Sequence, residues 1–344
     1  MHKKIPDRTV RWGMIGAGDV CEVKSGPALQ QAAGSELVAV MRRTAELAED
    51  FAKRHKVPKW YNNADALIAD DDVNAIYIAT PPGTHRELTI KAASAGKPVY
   101  VEKPMARTAA ECNAMIDACN KAGVPLYVAY YRRALPNFLK VTELLDTGRI
   151  GSVRYVRIEL NQRPTPPLVR AGDVNWRVMP EQSGGGYFYD LASHQLDFLD
   201  FALGPIESAS GEASNQAGLY AAEDIVSGTF RFASGVMGSG TWCFSSGASS
   251  ERDITTIVGS KGEIRYETFS GDTAKVELET DTDGLESFAF DVPKHIQLGL
   301  IQTVVDDLLG RGECPSTGVS GARTNRVMES ICQRQDESRS SRLL

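Results

Sequence analysis

The sequence predicts an α/β protein with an N-terminal Rossmann domain and a C-terminal α/β domain built on a large, mostly antiparallel open sheet. Three observations predict it. A glycine-rich turn directly follows the first apolar run, short apolar runs alternate with helical patterns to about residue 130, and from about Gly151 longer runs alternate with period two. At 344 residues the chain holds about two domains of ordinary size. The expected division is 1–130 and 131–344.

Taken in order, the expected strands of the first domain are Trp12–Ile15, Leu37–Met41, Ala75–Ala79, Val99–Val101 and Pro125–Ala129. Helices between them start legibly: Thr84 with Glu87, and Thr108 with Glu111, fit the capping box, in which side chains satisfy orphan helix N–H groups. In such a sheet the chemistry is expected in the loops beyond the carboxyl ends of the strands. The second domain is expected to contain strands Val153–Leu160, Ile225–Phe232, Gly235–Phe244, Asp253–Val258 and Lys275–Glu279. Turn signals at Ala233–Gly235 and Gly259–Gly262 separate several of them. Helices are expected at Tyr187–Leu203 and Ile296–Leu309, and the polar, arginine-rich tail Gln333–Leu344 is expected to fray.

Composition narrows the function classes. The chain is 42% hydrophobic and 24% charged, with 38 basic against 44 acidic residues and a net charge of −6. That balance, without a run of like charges, gives no reason to expect nucleic acid as a partner. No apolar stretch approaches the ~18 residues of a membrane span, and Met1–Arg11 shows no hydrophobic leader, so a cytoplasmic location is expected. Six cysteines without a C-x-x-C pair suggest buried thiols, and no metal is expected. The 31 glycines are slightly in excess, and two clusters of them are informative.

The first cluster is Gly16-Ala17-Gly18-Asp19-Val20-Cys21, a G-x-G-x-x-C directly after a strand. Gly16 permits a tight turn, Gly18 lets backbone N–H groups approach a pyrophosphate, and a helix N-terminus follows to stabilise its charge. Cys21 stands where glycine or alanine is usual. Chains that bind NAD carry Asp or Glu at the end of the second strand, to accept from the ribose 2′-hydroxyl. Here that position reads Met41-Arg42-Arg43-Thr44. A carboxylate would repel a 2′-phosphate, whereas a guanidinium binds it bidentately. NADP(H) is therefore favoured, with Arg42 the main contact and Arg43 assisting; NAD(H) stays open, since both arginines would also suit the solvated start of a helix.

Two further segments complete the pattern. Glu102-Lys103-Pro104 ends a predicted strand, and Gly184-Gly185-Gly186 leads into Asp190, His194 and Asp197 as G-G-G-x-x-x-D-x-x-x-H-x-x-D. With the glycine turn and Thr80-Pro81-Pro82-Gly83-Thr84-His85, these resemble the glucose–fructose oxidoreductase, inositol dehydrogenase and rhizopine-catabolism (Gfo/Idh/MocA) family over nearly the whole chain.

The residue chemistry agrees with that resemblance. A lysine at the end of a parallel strand can point its ammonium into the crevice, donate to a substrate oxygen and stabilise alkoxide character. Asp190 and His194, four residues apart on a helix, share a face, and an imidazole suits transfer of an alcohol proton. The resemblance implies Lys103, Asp190 and His194 as the catalytic set, with Asp197 either joining them or bracing the helix. It implies cofactor contacts from Thr80, Pro81, His85, Glu102 and Lys103. By their position and chemistry Tyr130, Arg132, Trp176 and Arg177 are expected to join the catalytic set at the substrate, although a buried tryptophan beside an exposed arginine would read the same way. Loops Gln162–Arg177 and Ala213–Glu223 would choose the substrate, and the domain seam near residue 130 would hold the active-site cleft. An NAD(P)-dependent dehydrogenase or reductase of a sugar-like or polyol substrate is the implied activity, in a homodimer or homotetramer. An NAD-dependent glycosidase of the same fold and a non-catalytic dinucleotide sensor remain as alternatives, the latter disfavoured because both the lysine and the histidine are present.

Overall fold

The structure, a computed structural model, describes residues 5–6, 8–164 and 175–333. The chain forms two compact units, Met1–Leu135 with Pro293–Ala322, and Pro136–Val292 with Arg323–Leu344. The first unit therefore draws on a late segment, which the expected division did not include.

In the first unit six parallel strands, β1 (Val10–Ile15), β2 (Ser35–Met41), β3 (Lys59–Tyr61), β4 (Ala75–Ile78), β5 (Val99–Val101) and β6 (Leu126–Val128), lie in the order β3-β2-β1-β4-β5-β6. The chain fills one side of β1 and then the other, so the order reverses between β1 and β4, which is where such sheets bind ligands. The helices are α1 (Gly26–Gln31), α2 (Ala45–His55), α3 (Ala64–Ile68), α4 (His85–Ser94) and α5 (Ala109–Ala122). Both faces of a parallel sheet are covered, which is why β4 and β5 read as unbroken apolar runs. Trp12, Tyr77 and Tyr100 are fully buried there, with the Tyr77 and Tyr100 rings stacked at 5.1 Å. Thr108 caps α5 as expected, its hydroxyl accepting from the Glu111 N–H at 3.1 Å. The expected cap at Thr84 does not form. Residues Pro82–Thr84 make a 3₁₀ turn, and the Thr84 hydroxyl lies 2.7 Å from Thr80 Oγ1 and 3.1 Å from the Pro81 carbonyl.

The second unit is built on eight strands, β7 (Val153–Asn161), β8 (Ile206–Ser214), β9 (Ile225–Phe232), β10 (Met237–Cys243), β11 (Arg252–Gly259), β12 (Gly262–Tyr266), β13 (Thr273–Thr280) and β14 (Gly284–Asp291), in the order β14-β13-β12-β11-β7-β10-β9-β8. Among the described residues of this sheet only the β7–β10 pairing is parallel. The alternation seen in the sequence has a direct cause: Val156, Ile158, Leu160, Val226, Phe230, Trp242, Ile257 and Leu278 are buried on one face, while Arg157, Ser227, Thr229 and Ser239 are exposed on the other. Three helices follow in chain order, α6 (Pro136–Asp146), α7 (Pro180–Ser183) and α8 (Ser193–Leu203). Phe138 of α6 meets Phe198 of α8 edge to face at 4.6 Å, and Tyr266 closes the same cluster.

Helix α9 (Leu298–Leu308) belongs to the first unit's late segment, and α10 (Gly318–Ile331) begins there and ends in the second. Within the second unit α10 fixes α8, because Arg323 donates from Nε and Nη2 to the buried Asp200 carboxylate at 3.1 and 2.5 Å. Four cysteines are buried, and burial pushes the thiols of Cys21 and Cys119 up to about 12, whereas Cys243 and Cys332 are half-buried, against the expectation for all six. Among the described residues no helix is long and apolar enough to cross a membrane, and no cluster of His, Cys, Asp and Glu could hold a metal ion.

Candidate active site

At the carboxyl end of β1 the chain turns through Gly16, Ala17 and Gly18, and Gly16 and Ala17 donate their N–H groups to the Met41 carbonyl at the end of β2. Gly16 has φ +89°, and a Cβ there would lie 2.7 Å from Thr80 Cγ2 and 2.9 Å from Thr80 N. Only glycine satisfies both the left-handed backbone and the close approach of the β4 loop. A Cβ on Gly18, by contrast, would meet nothing nearer than the Gly16 carbonyl at 3.8 Å, so the space above it is open. Asp19 and Val20 start a helical run over residues 19–31, with one wide π turn at Cys21–Ser25. Gly16→Ala is expected to weaken NAD(P)H binding about tenfold or more, read as nicotinamide fluorescence, since a Cβ in the left-handed region costs about 1–2 kcal/mol before any clash.

Arg42 and Arg43 directly follow β2. Arg42 is half-buried and its N–H donates to the Tyr61 carbonyl at 3.2 Å, while Arg43 is exposed. Among the described residues no carboxylate pairs with either guanidinium.

Beyond β4, Thr80 and Pro81 are half-buried. His85, expected to contact the cofactor, is instead fully buried: Nε2 lies 2.7 Å from the Thr80 carbonyl and Nδ1 3.1 Å from the Met105 carbonyl. Burial holds its pKa below the usual histidine range. His85 thus braces the loop beyond β4, its ring meeting the Thr80 carbonyl. Beyond β5, Glu102 is also buried, accepting from Tyr77 Oη at 2.6 Å and from the Lys103 N–H at 3.1 Å. Its carboxylate faces inward, while Lys103 is half-buried and joined to Pro104 by a cis peptide bond. After β6, Tyr130 packs in the first unit's core cluster with no exposed surface, which leaves its ring no face for a substrate. Arg132 is 6% exposed, its guanidinium 5.1 Å from the Tyr131 ring centre.

The remaining predicted residues lie in the second unit. Gly184 and Gly186 take φ +89° and +66°, turning the chain into a helical run in which Asp190 falls inside a π turn, Phe188–Ala192, and His194 in the first turn of α8. The sequence reading assumed one regular helix; the wide turn is the difference, and single π turns recur at functional sites. Asp190 accepts from Arg177 Nε at 3.2 Å, and the same guanidinium stacks on the Trp176 ring at 4.6 Å, so three predicted residues form one constellation. His194 is 3% exposed, its ring edge-to-face with Phe269 at 6.0 Å. Phe269 was not anticipated; Asp253 fixes it by accepting its N–H at 2.5 Å. Asp197 is buried, 3.4 Å from the Thr324 hydroxyl of α10, and so braces the helix. Of the expected substrate loops, residues 165–174 lie outside the described residues, as does the tail from 334; at the other, Asp224 holds the turn by accepting from the N–H groups of Gln216 and Ala217.

Comparison with known proteins finds the family model "Oxidoreductase family, NAD-binding Rossmann fold" over residues 10–130 and "GFO/IDH/MocA C-terminal domain" over residues 138–265. Oxidoreductase P35 of Formosa agariphila is 40% identical over 94% of this chain and 98% of its own. A 1,5-anhydro-D-fructose reductase of Ensifer adhaerens is 33% identical over 66% of this chain and 67% of its own. Among solved structures, the aldose–aldose oxidoreductase of Caulobacter crescentus, complexed with glycerol, superimposes with a TM-score of 0.80 at 25% identity, covering 94% of this chain and 96% of that one.

Proposed function

This chain belongs to the Gfo/Idh/MocA family of NAD(P)-dependent oxidoreductases, and on that premise we propose that it moves hydride between NADP(H) and a carbinol or carbonyl carbon of a sugar-like or polyol substrate. The observation that carries the reading is Lys103 at the carboxyl end of β5, in the sheet whose β1 ends in the Gly16–Gly18 turn. The room beside Gly18, where a Cβ would meet only the Gly16 carbonyl at 3.8 Å, supports the approach of a pyrophosphate. Gly16, Ala17, Gly18, Asp19 and Val20 would surround it, Arg42 and Arg43 would take the 2′-phosphate, and Thr80 and Pro81 would meet the nicotinamide ribose. When bound, the nicotinamide supplies the carbon that takes or gives the hydride. Lys103 donates a hydrogen bond to the reacting oxygen and stabilises its developing charge. His194 accepts the hydroxyl proton in oxidation and returns it in reduction, supported by Asp190. Trp176 and Arg177 offer a stacking face and a cation to a hydroxylated substrate. The names of the relatives, a reductase of an anhydro sugar and an oxidoreductase of aldoses, support a sugar-like substrate.

The assignment of NADP rests on two arginines, with no carboxylate partner among the described residues, where NAD-binding chains usually carry a carboxylate. Sugars, inositols and small diols should be screened with both cofactors by absorbance of the reduced nicotinamide. The expected result is a kcat/KM at least about tenfold higher with NADP, and Arg42→Ala should remove that margin, since a charge-assisted hydrogen bond contributes about 1.5–3 kcal/mol. A preference for NAD in the unaltered protein would sink the assignment.

A further inference from the structure

The buried Glu102 carboxylate has one more attachment, and it comes from far along the chain. Besides Tyr77 Oη, its Oε1 accepts from Gln297 Nε2 at 2.6 Å. Gln297 is 1% exposed, and its amide oxygen accepts from Tyr100 Oη at 3.2 Å. Two residues earlier, His295 Nδ1 donates to the Val23 carbonyl at 2.6 Å, in the helical run that follows the glycine turn. One short stretch before α9 thus touches both the nucleotide helix and the end of β5.

An amide has a defined direction. Its NH₂ can serve only an acceptor and its oxygen only a donor, so Gln297 between a carboxylate and a phenol has one orientation. The Glu102 carboxylate in turn holds the Lys103 N–H at 3.1 Å. A side chain that must place an ammonium against a substrate oxygen depends on the backbone it leaves from, and small displacements there are costly in rate.

The geometry points to Gln297 as a positioning residue for Lys103: by fixing the Glu102 carboxylate it fixes the backbone from which the ammonium extends. This rests on the reading of Lys103 as the group that polarises the substrate oxygen, but the position of Lys103 can also be measured without turnover. Two variants separate positioning from plain support of the fold. Gln297→Leu removes both hydrogen bonds. Gln297→Glu keeps the shape and the acceptor for Tyr100 but donates to Glu102 only when protonated, and two facing carboxyl groups share a proton as pH falls. The other titratable groups around Glu102 are Tyr77, Tyr100, Cys21, His85 and Lys103. Burial raises the phenols and the thiol and lowers the imidazole, so none of those four gains charge near neutrality.

The experiment measures kcat, KM, cofactor Kd and melting temperature, together with the rate at which an N-hydroxysuccinimide ester acetylates Lys103, read by peptide mass spectrometry against Lys91 and Lys140. For Gln297→Leu the expected result is a kcat at least about tenfold lower with KM and Kd within about threefold, and an altered Lys103 rate with Lys91 and Lys140 unchanged. For Gln297→Glu, kcat relative to the unaltered protein should rise as pH falls. Native kcat and native Lys103 labelling in both variants would overturn the inference, as would a loss spread equally over kcat, Kd and melting temperature. If the unaltered protein turns over no polyol, the activity reading falls, and Lys103 labelling alone decides the positioning role.

Discussion

Lys103→Met is expected to lower kcat/KM about 10²–10³-fold, the usual effect of removing one group that stabilises a developing oxyanion. Methionine keeps an unbranched side chain as far as Cε and removes the charged hydrogen-bond donor beyond it. The backbone at this position is held by the Glu102 carboxylate and is not expected to move, since the bond uses the Lys103 N–H rather than its side chain. Cofactor Kd, followed by nicotinamide fluorescence, should therefore stay within about threefold, and the loss should fall on kcat, because the interaction strengthens as charge develops on the oxygen. A near-native kcat in this variant would remove Lys103 from the mechanism.

His194→Asn should cost about 10²–10⁴-fold in kcat, the range for loss of a positioned general acid–base group. The site suits such a substitution. His194 is 3% exposed in the first turn of α8, a helix that is also held by the Asp200–Arg323 pair and by Phe198 against Phe138. Asparagine keeps a polar group of similar reach that cannot take a proton near neutrality. The pH profile of kcat should lose the limb that belongs to the imidazole, a change that a loss of packing would not produce. If rate and limb both persist, the proton goes elsewhere, and Asp190 is the next group to test.

Both candidates were legible because each lies in a compact motif. Glu102-Lys103-Pro104 ends an apolar run short enough to be a buried strand, and the glycine run before Asp190 marks a turn into a helix. The glycine turn after β1 was equally plain, since no other residue can combine its backbone with the nearness of Thr80. Strands β12 and β14 were missed although they alternate, but much else that sequence reasoning missed is not encoded in local pattern. Strand β3 has three residues, and β8, Ile206–Ser214, is rich in serine, alanine and glycine, so neither shows a strong alternation. The π turn at Asp190 was hidden because four-residue spacing looks the same whether the helix is regular or widened. The resemblance implied His85 as a cofactor contact, and nothing local revealed that both ring nitrogens face carbonyls of the protein itself. Gln297 carried no signal at all: it is one glutamine near the start of an apolar helix, and its partners Glu102 and Tyr100 lie nearly two hundred residues earlier.

That separation affects how the protein is made. The first unit is not contiguous, since residues 293–322 complete it after the whole of 136–292 has intervened. At about 5–20 residues per second, ribosomes need roughly ten to thirty seconds to synthesise the intervening stretch. During that interval the six parallel strands emerge from the ribosome, but the Glu102 carboxylate has yet to meet Gln297 and the Val23 carbonyl has yet to meet His295. The nascent nucleotide fold therefore waits, incomplete, with its buried acid short of one donor, and a fragment cut at residue 135 keeps that deficiency permanently. Activity in this chain can be assembled only after residues 293–322 have been made and have joined the first 135.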